Sequence, residues 1–245
     1  MKKQMKVAAL STLLLSSLAM PTVSFANEPT EEEPHAVAIE NFHDVDKNHY
    51  AYEAIKWAQQ QGIVSGYTDS KGRLQFGPND SVTEAQFAKM ISEFLQLKDY
   101  KGNLAVEKAT WSDLYYDVLV TYEVPLNGYK NNVARNQPVK RGLVAQTISY
   151  VTNGNTNLDY SISYLMNQGI TVGENPDYKN SNLQKYFGSE NVLTRAQIVT
   201  FLYRMNNTGI NQLHDTLKVL ILSEKPLEQS VSEATLKIDK SLLFK

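Results

Sequence analysis

Three short segments of the chain begin alike, and that repetition limits the fold more than any other feature. Ser81-Val82-Thr83-Glu84-Ala85-Gln86-Phe87, Pro138-Val139-Lys140-Arg141-Gly142-Leu143-Val144 and Val192-Leu193-Thr194-Arg195-Ala196-Gln197-Ile198 align without a gap. Thr83, Lys140 and Thr194 hold the same place, about 57 and 54 residues apart, which is the signature of stacked or closed supersecondary units. Each segment reads as a helix start. Thr83 with Gln86 and Thr194 with Gln197 have capping-box spacing, the hydroxyl accepting from an early N–H while the amide returns to the cap. Val82 with Phe87, Val139 with Val144 and Leu193 with Ile198 are placed as hydrophobic staples. Lys140 cannot cap as threonine does, so the second start is expected to be the weaker.

The helices that follow share one apolar stripe. Phe87, Met90, Ile91 and Phe94 fall at i, i+3, i+4 and i+7, and Val144, Thr147, Ile148, Val151 and then Ile198, Phe201, Leu202, Met205 repeat the pattern. A shorter helix is expected upstream of each. Ala51, Ala54, Ile55 and Ala58 lead to Gly62-Ile63-Val64-Ser65-Gly66-Tyr67, and Ile162, Leu165 and Met166 lead to Gly169-Ile170-Thr171-Val172-Gly173. The leading glycine suits a helix end in the left-handed region. The second unit keeps a trace, from Asp117 to Gly128-Tyr129. The expected fold is all-α, three helix-loop-helix repeats forming a pseudo-threefold helical bundle that buries the three stripes together.

The flanks place the chain outside the cytoplasm. Lys2, Lys3 and Lys6, an apolar run from Val7 to about Leu18, and Ser24-Phe25-Ala26 read as a signal peptide over 1–26, cut after Ala26. The apolar run falls short of the ~20 residues a spanning helix needs, so no membrane insertion is expected after cleavage. An acidic flexible leader, 27–40, carries Pro29, Glu31 to Glu33 and Pro34. With no cysteine, there is neither a lipidation site nor a disulfide, and the core alone must hold the fold. The net charge of −2 becomes more acidic once the three leader lysines are gone, which disfavours nucleic acid as a general partner.

These residues carry a family resemblance. Phe42-His43-Asp44-Val45, the Ala-Ile-Lys-Trp-Ala run at 54–58, the segment from Gly62 to Asp69, Phe76-Gly77-Pro78 and the run from Val82 to Ala88 resemble one S-layer homology (SLH) motif. Trp111-Ser112-Asp113 through Gly142 resembles a second, eroded copy, and Leu158 through Gln197 a third. The repeats are set at 41–98, 99–152 and 153–206, with a C-terminal tail, 207–245, of unassigned role. The resemblance implies a three-prong spindle with grooves between repeats. It also implies binding to secondary cell-wall polysaccharide linked to peptidoglycan in Gram-positive bacteria, often through a pyruvylated N-acetylmannosamine, and hence a secreted protein at the cell wall, associated with an S-layer. The family's basic groove residue falls on Arg195 and Arg141; in the first copy Glu84 stands there instead.

The physical argument runs parallel. A helix N-terminus favours anions, so an arginine in the first turn is unfavourable unless an anion shares the site, and an arginine fork can hold a ketal carboxylate. Against this stands a plain ion pair of Arg195 with Glu190. Lys140, beside Arg141, is either part of a basic groove or one of a solvated pair. Thr194, Gln197, Thr83 and Gln86, at the same helix starts, complete the candidate ligand-binding set with Asp44 by resemblance. Tyr67 and Tyr129, each following a glycine, are candidate groove aromatics, whereas Trp57 is expected in the core. Glu84 should repel an anionic sugar, so Glu84→Ala is expected to leave wall binding intact or improve it.

Other chemistry finds less support. Asp44-Val45-Asp46-Lys47-Asn48 starts like a calcium loop, but His49 and Ile55 occupy the places of the required glycine and glutamate. His35, His43, His49 and His214 have no zinc spacing. No metal, cofactor or catalytic residue is assigned. The expected function is a non-catalytic anchoring module. The alternatives are a surface adaptor whose tail recruits a protein partner and, behind it, an enzyme acting on wall glycan.

Overall fold

The computed structural model describes residues 42–97, 110–215 and 217. The leader through 26, the acidic segment 27–40, the start of the second repeat and most of the tail lie outside the described residues.

The described chain is mostly helical. In the first repeat α1, Tyr52–Gln60, is followed by a hairpin of β1, Tyr67–Thr68, and β2, Leu74–Gln75, and then by α2, Glu84–Phe94. The second has α3, Asp113–Thr121, the short α4, Asn132–Arg135, and α5, Arg141–Asn153. The third has α6, Leu158–Asn167, a 3-10 turn at Pro176–Tyr178, α7, Leu183–Phe187, and α8, Arg195–Asn207. The loops between the two long helices of a repeat differ: a hairpin in the first, one helical turn in the shorter loop of the second, and two helical turns in the third. Among the described residues no helix is long and apolar enough to cross a membrane.

Helix starts follow the sequence closely. Thr83 and Thr194 form complete capping boxes with Gln86 and Gln197, whereas Lys140 makes no side-chain cap. The stripe residues Phe87, Ile91, Val144, Ile148, Ile198 and Leu202 are fully buried, each contributing about 1.5–3 kcal/mol by removal from water. Gly62 and Gly169 take φ of 70° at the ends of α1 and α6, as a left-handed helix end requires. Glu123 takes that place in the second repeat with φ 54°.

Two relationships were not visible in the sequence. The first helix of a repeat packs on the second helix of the preceding one: α3 lies on α2, α6 on α5, and α1 on α8, closing the circuit. The three helix starts also meet one another. Val82 N–H donates to the Leu193 carbonyl at 3.0 Å, Leu193 N–H to Val139 at 3.2 Å, and Val139 N–H to Val82 at 2.8 Å. This closed ring of three hydrogen bonds leaves the side chains of Val82, Val139 and Leu193 buried. It joins segments more than 50 residues apart, and the staples pack beneath it.

Candidate functional site

The ring accounts for the polar groups at the three helix starts. The first N–H of each long helix donates to a neighbouring repeat: Glu84 to the Gln137 carbonyl at 3.0 Å, Arg141 to Asn191 at 2.8 Å, and Arg195 to Asp80 at 2.9 Å. In α8 the next two are also taken, by the Pro78 carbonyl and the Thr194 hydroxyl. These amides are therefore not free for an anion, as the helix-terminus argument had assumed. What remains at each junction is the side chain of the first helical residue, and the three differ.

Arg195 reaches from α8 into the first repeat. Its Nε donates to the Phe76 carbonyl at 2.8 Å and its Nη2 to the Ser65 carbonyl at 3.0 Å, with the guanidinium 4.6 Å from the centre of the Phe76 ring. Burial pulls its pKa below the usual guanidinium value, though an arginine keeps its charge at any physiological pH. Among the described residues no carboxylate forms an ion pair with it. It lines a cleft of about 200 Å³ with Ser65, Gln86, Lys89, Met90 and Trp111. Trp111 is 60 % exposed.

Arg141 reaches from α5 into the third repeat in the same way, donating to the Val172 carbonyl at 2.9 Å and to the Thr171 hydroxyl. Its guanidinium lies 4.6 Å from the Phe187 ring. Here, however, a carboxylate is supplied by the protein: Glu174 pairs with Arg141 at 2.9 Å, and Asn191 Nδ2 donates to that carboxylate at 2.9 Å. Arg141 is only 3 % exposed, and burial lowers its pKa. Its Nε is buried without a hydrogen-bond partner among the described residues.

Glu84, in the matching place, reaches from α2 into the second repeat. Its carboxylate accepts from the Gly128 N–H at 2.7 Å, from the Asn127 N–H and side-chain amide at 3.0 Å each, and from the Tyr116 hydroxyl at 3.0 Å. The arginines donate to carbonyls of this glycine loop, and the glutamate accepts from its amides. At 3 % exposure Glu84 is an internal strut between repeats, and the expectation that it stands in a groove as a repelling charge is replaced.

The other sequence candidates fall as follows. Thr83, Gln86, Thr194 and Gln197 are engaged in their capping boxes through the hydroxyls and amide oxygens. Gln86 lines the Arg195 cleft, while the Gln197 amide nitrogen lies 3.5 Å from Glu174. Lys140 is exposed and pairs with Glu190, the acid weighed as a partner for Arg195. Asp44 accepts from the Phe76 and Gly77 N–H groups at 2.8 and 2.7 Å, fixing the strand under Arg195. Tyr67 donates to Asp80 beside Arg195, and that bond is the first cause of its raised phenol pKa. Tyr129 donates to the Val124 carbonyl at 2.6 Å. Among the described residues no group of three or more His, Asp or Glu is placed to hold a metal.

Lys89 and Glu174 were not singled out in the sequence. Lys89 lies three residues after Gln86, on the same helix face, which a search along that face would have found. Glu174 follows Gly173 where Tyr67 and Tyr129 follow theirs, and the change from aromatic to acid marks it.

The geometry defines a helical repeat module whose three junctions carry different polar contacts, with an open cleft at Arg195. Residues 41–88 match the model of the S-layer homology domain family. A stretch of 103 residues, 39 % of the chain, is 31 % identical to a cellulosome-anchoring protein of Acetivibrio thermocellus and covers 22 % of it. Over 250 residues, 99 % of the chain, it is 26 % identical to an endoglucanase of Bacillus sp. (strain KSM-635) and covers 23 % of that enzyme. The chain thus spans less than a quarter of either relative.

Proposed function

We propose that the protein is a cell-surface anchoring module that holds wall polysaccharide at the Arg195 cleft. The matched family and the anchoring protein among its relatives support the general reading. A pseudo-threefold, three-prong arrangement of the repeats fits the closed ring of hydrogen bonds and the packing of α1 on α8. One observation carries the assignment: among the described residues Arg195 hydrogen-bonds only to backbone carbonyls and forms no ion pair, with Asp80 and Asp44 acting on it from farther off, and the described lining of its cleft holds no carboxylate. Arg141 has Glu174, and the third junction has a glutamate.

The ligand chemistry follows from the lining. An acidic sugar, such as a pyruvylated N-acetylmannosamine at the end of secondary cell-wall polysaccharide, brings one carboxylate for the guanidinium fork and the Lys89 ammonium. The Gln86 amide nitrogen would donate to a hydroxyl or acetamido oxygen, and the exposed Trp111 ring would cover an apolar sugar face.

The test is co-sedimentation of the secreted chain with Gram-positive peptidoglycan sacculi before and after acid removal of their secondary polysaccharide. Pelleting with untreated walls alone, lost in Arg195→Ala and kept in Lys140→Ala, is the expected result. Pelleting that survives acid treatment would overturn the polysaccharide reading. The endoglucanase match makes glycan turnover the competing reading, and release of reducing ends from wall glycan would establish it. An adaptor role for the tail is tested by removing 218–245. A cut at 207 would also remove the buried Leu217 and the His214 N–H bond to Val151.

A further inference from the structure

A second cleft, of about 330 Å³, lies between the ends of α1, α2 and α8, within the size range of small-ligand sites, about 300–1,000 Å³. Its polar lining is almost entirely carboxamide: Gln61, Gln96, Asn206, Asn211 and Gln212. None of these five side chains hydrogen-bonds to a described residue, which leaves their donors and acceptors available to a ligand in the cleft. Trp57, packed edge-on against Phe94 at 6.1 Å between ring centres, supplies an aromatic wall. Among the described residues no lysine or arginine lines it, and the one carboxylate, Glu93, accepts from the Tyr115 hydroxyl at 3.1 Å.

That composition selects a class of ligand. A carboxamide offers a donor and an acceptor side by side, which matches a pair of sugar hydroxyls, each of them both donor and acceptor. An aromatic wall suits the apolar face of a pyranose. With no cation among the described lining residues, and with Glu93 present, the cleft disfavours an anion. The two clefts also adjoin. Ile63 lines both, and one face of α2 runs through them, with Gln86, Lys89 and Met90 in the first and Glu93 and Phe94 in the second.

We propose that the amide-lined cleft is a subsite for a neutral sugar unit, so that a glycan whose acidic residue is held at Arg195 continues along α2 toward Gln61 and Asn211. The extended path rests on the anchoring reading; the neutral-sugar site stands on its own lining.

The chain has two tryptophans, one in each cleft, which separates the readouts. Secondary polysaccharide is released from Gram-positive walls, cut to short fragments and divided by anion exchange into acidic and neutral pools. In a Trp111→Phe background Trp57 is the only indole, and red-edge excitation selects its emission over that of the tyrosines. The neutral pool is expected to change Trp57 emission saturably. That response should weaken about tenfold in Gln61→Ala/Asn211→Ala, from the loss of two hydrogen-bonding groups, and persist in Arg195→Ala. Both substituted amides are exposed, and a thermal melt verifies folding. The acidic pool should bind the parent chain and not Arg195→Ala. A silent Trp57 with the neutral pool, while the acidic pool still binds, overturns the subsite and leaves the anchor standing. A Trp57 response without acidic binding leaves the cleft and removes the anchor at Arg195. Silence with both pools overturns both.

Discussion

Glu84 and Arg135 meet across one tyrosine and one glycine. The Arg135 guanidinium lies 4.1 Å from the centre of the Tyr116 ring, while the Glu84 carboxylate accepts from the Tyr116 hydroxyl at 3.0 Å. Between them Gly128 is clamped on both sides, its N–H donating to Glu84 and its carbonyl accepting from Arg135 Nε, each at 2.7 Å. A Cβ at this glycine would come within 2.5 Å of Tyr116 Oη and Arg135 Cγ. At the other two junctions the cation over an aromatic ring comes from the preceding repeat, as Arg195 over Phe76 and Arg141 over Phe187. Here the preceding repeat supplies the acid, and the cation over the ring comes from the second repeat itself.

Removal of Glu84 should therefore destabilise the fold and bring no gain in binding. Glu84→Ala leaves the donors of Gly128, Asn127 and Tyr116 buried or half-buried without an acceptor, at a cost of about 3 kcal/mol. Equilibrium urea unfolding measures it. A variant as stable as the parent, or one that binds walls more tightly, would restore the picture of Glu84 as a repelling groove charge.

Glu123→Gly should stabilise the protein by about 1 kcal/mol. Glu123 is exposed and holds φ 54° where the equivalent Gly62 and Gly169 hold 70°, a conformation that is strained for any residue with a Cβ. A raised urea midpoint with an unchanged slope is the expected outcome. A lowered midpoint would mean that the Glu123 side chain makes a compensating contact.

The acid limb of stability should depend on Asp69. Its carboxyl is held down at about 2 rather than 3.8, first by the Arg73 N–H, with the Arg73 guanidinium and Lys71 N–H adding. A carboxyl whose folded pKa is depressed stabilises the fold above its unfolded value, and that contribution is lost as pH falls from about 4 toward 2. Asp69→Asn should be less stable than the parent at pH 6 and converge with it near pH 2. Parallel curves across that range would count against the assignment.

Legibility from sequence divided along physical lines. Caps, staples and the stripes on α2, α5 and α8 were readable because they are local: Thr83 finds Gln86 three residues away, and Phe87 finds Ile91 in one turn. The ring through Val82, Val139 and Leu193 was not, because backbone pairing between segments more than 50 residues apart leaves no mark on residue type. The same limit hid the exchange of helices between repeats. At the candidate site Arg195 and Arg141 look alike in sequence. Only the fold separates an arginine that faces an open cleft from one whose charge is taken by Glu174.

Charge alone should not suffice at Arg195. The guanidinium reaches Phe76 and Ser65 at once through two nitrogens, a geometry that one ammonium cannot reproduce. Arg195→Lys is expected to weaken polysaccharide binding by about 10- to 100-fold, in line with the loss of charge-assisted bonds. Isothermal titration with acidic wall fragments measures this, and parent-like affinity in the lysine variant would mean that the site needs only a positive charge.

Glu174 holds Arg141 as a bound carboxylate would, which makes chemical rescue a test of what such a junction recognises. Glu174→Ala strands a buried guanidinium whose Nε already lacks a partner among the described residues. The cost should be about 2 kcal/mol, below that of a fully buried pair because the Glu174 side chain is 31 % exposed. A small carboxylate that enters the vacated space stabilises the native state by mass action. The variant should therefore melt at a higher temperature in sodium pyruvate than in sodium chloride of equal ionic strength, while the parent melts alike in both. A rise shared by variant and parent would mark a general salt effect. A variant that responds to neither salt would show that the Arg141 junction does not admit a free carboxylate, and that the carboxylate it holds belongs to the fold.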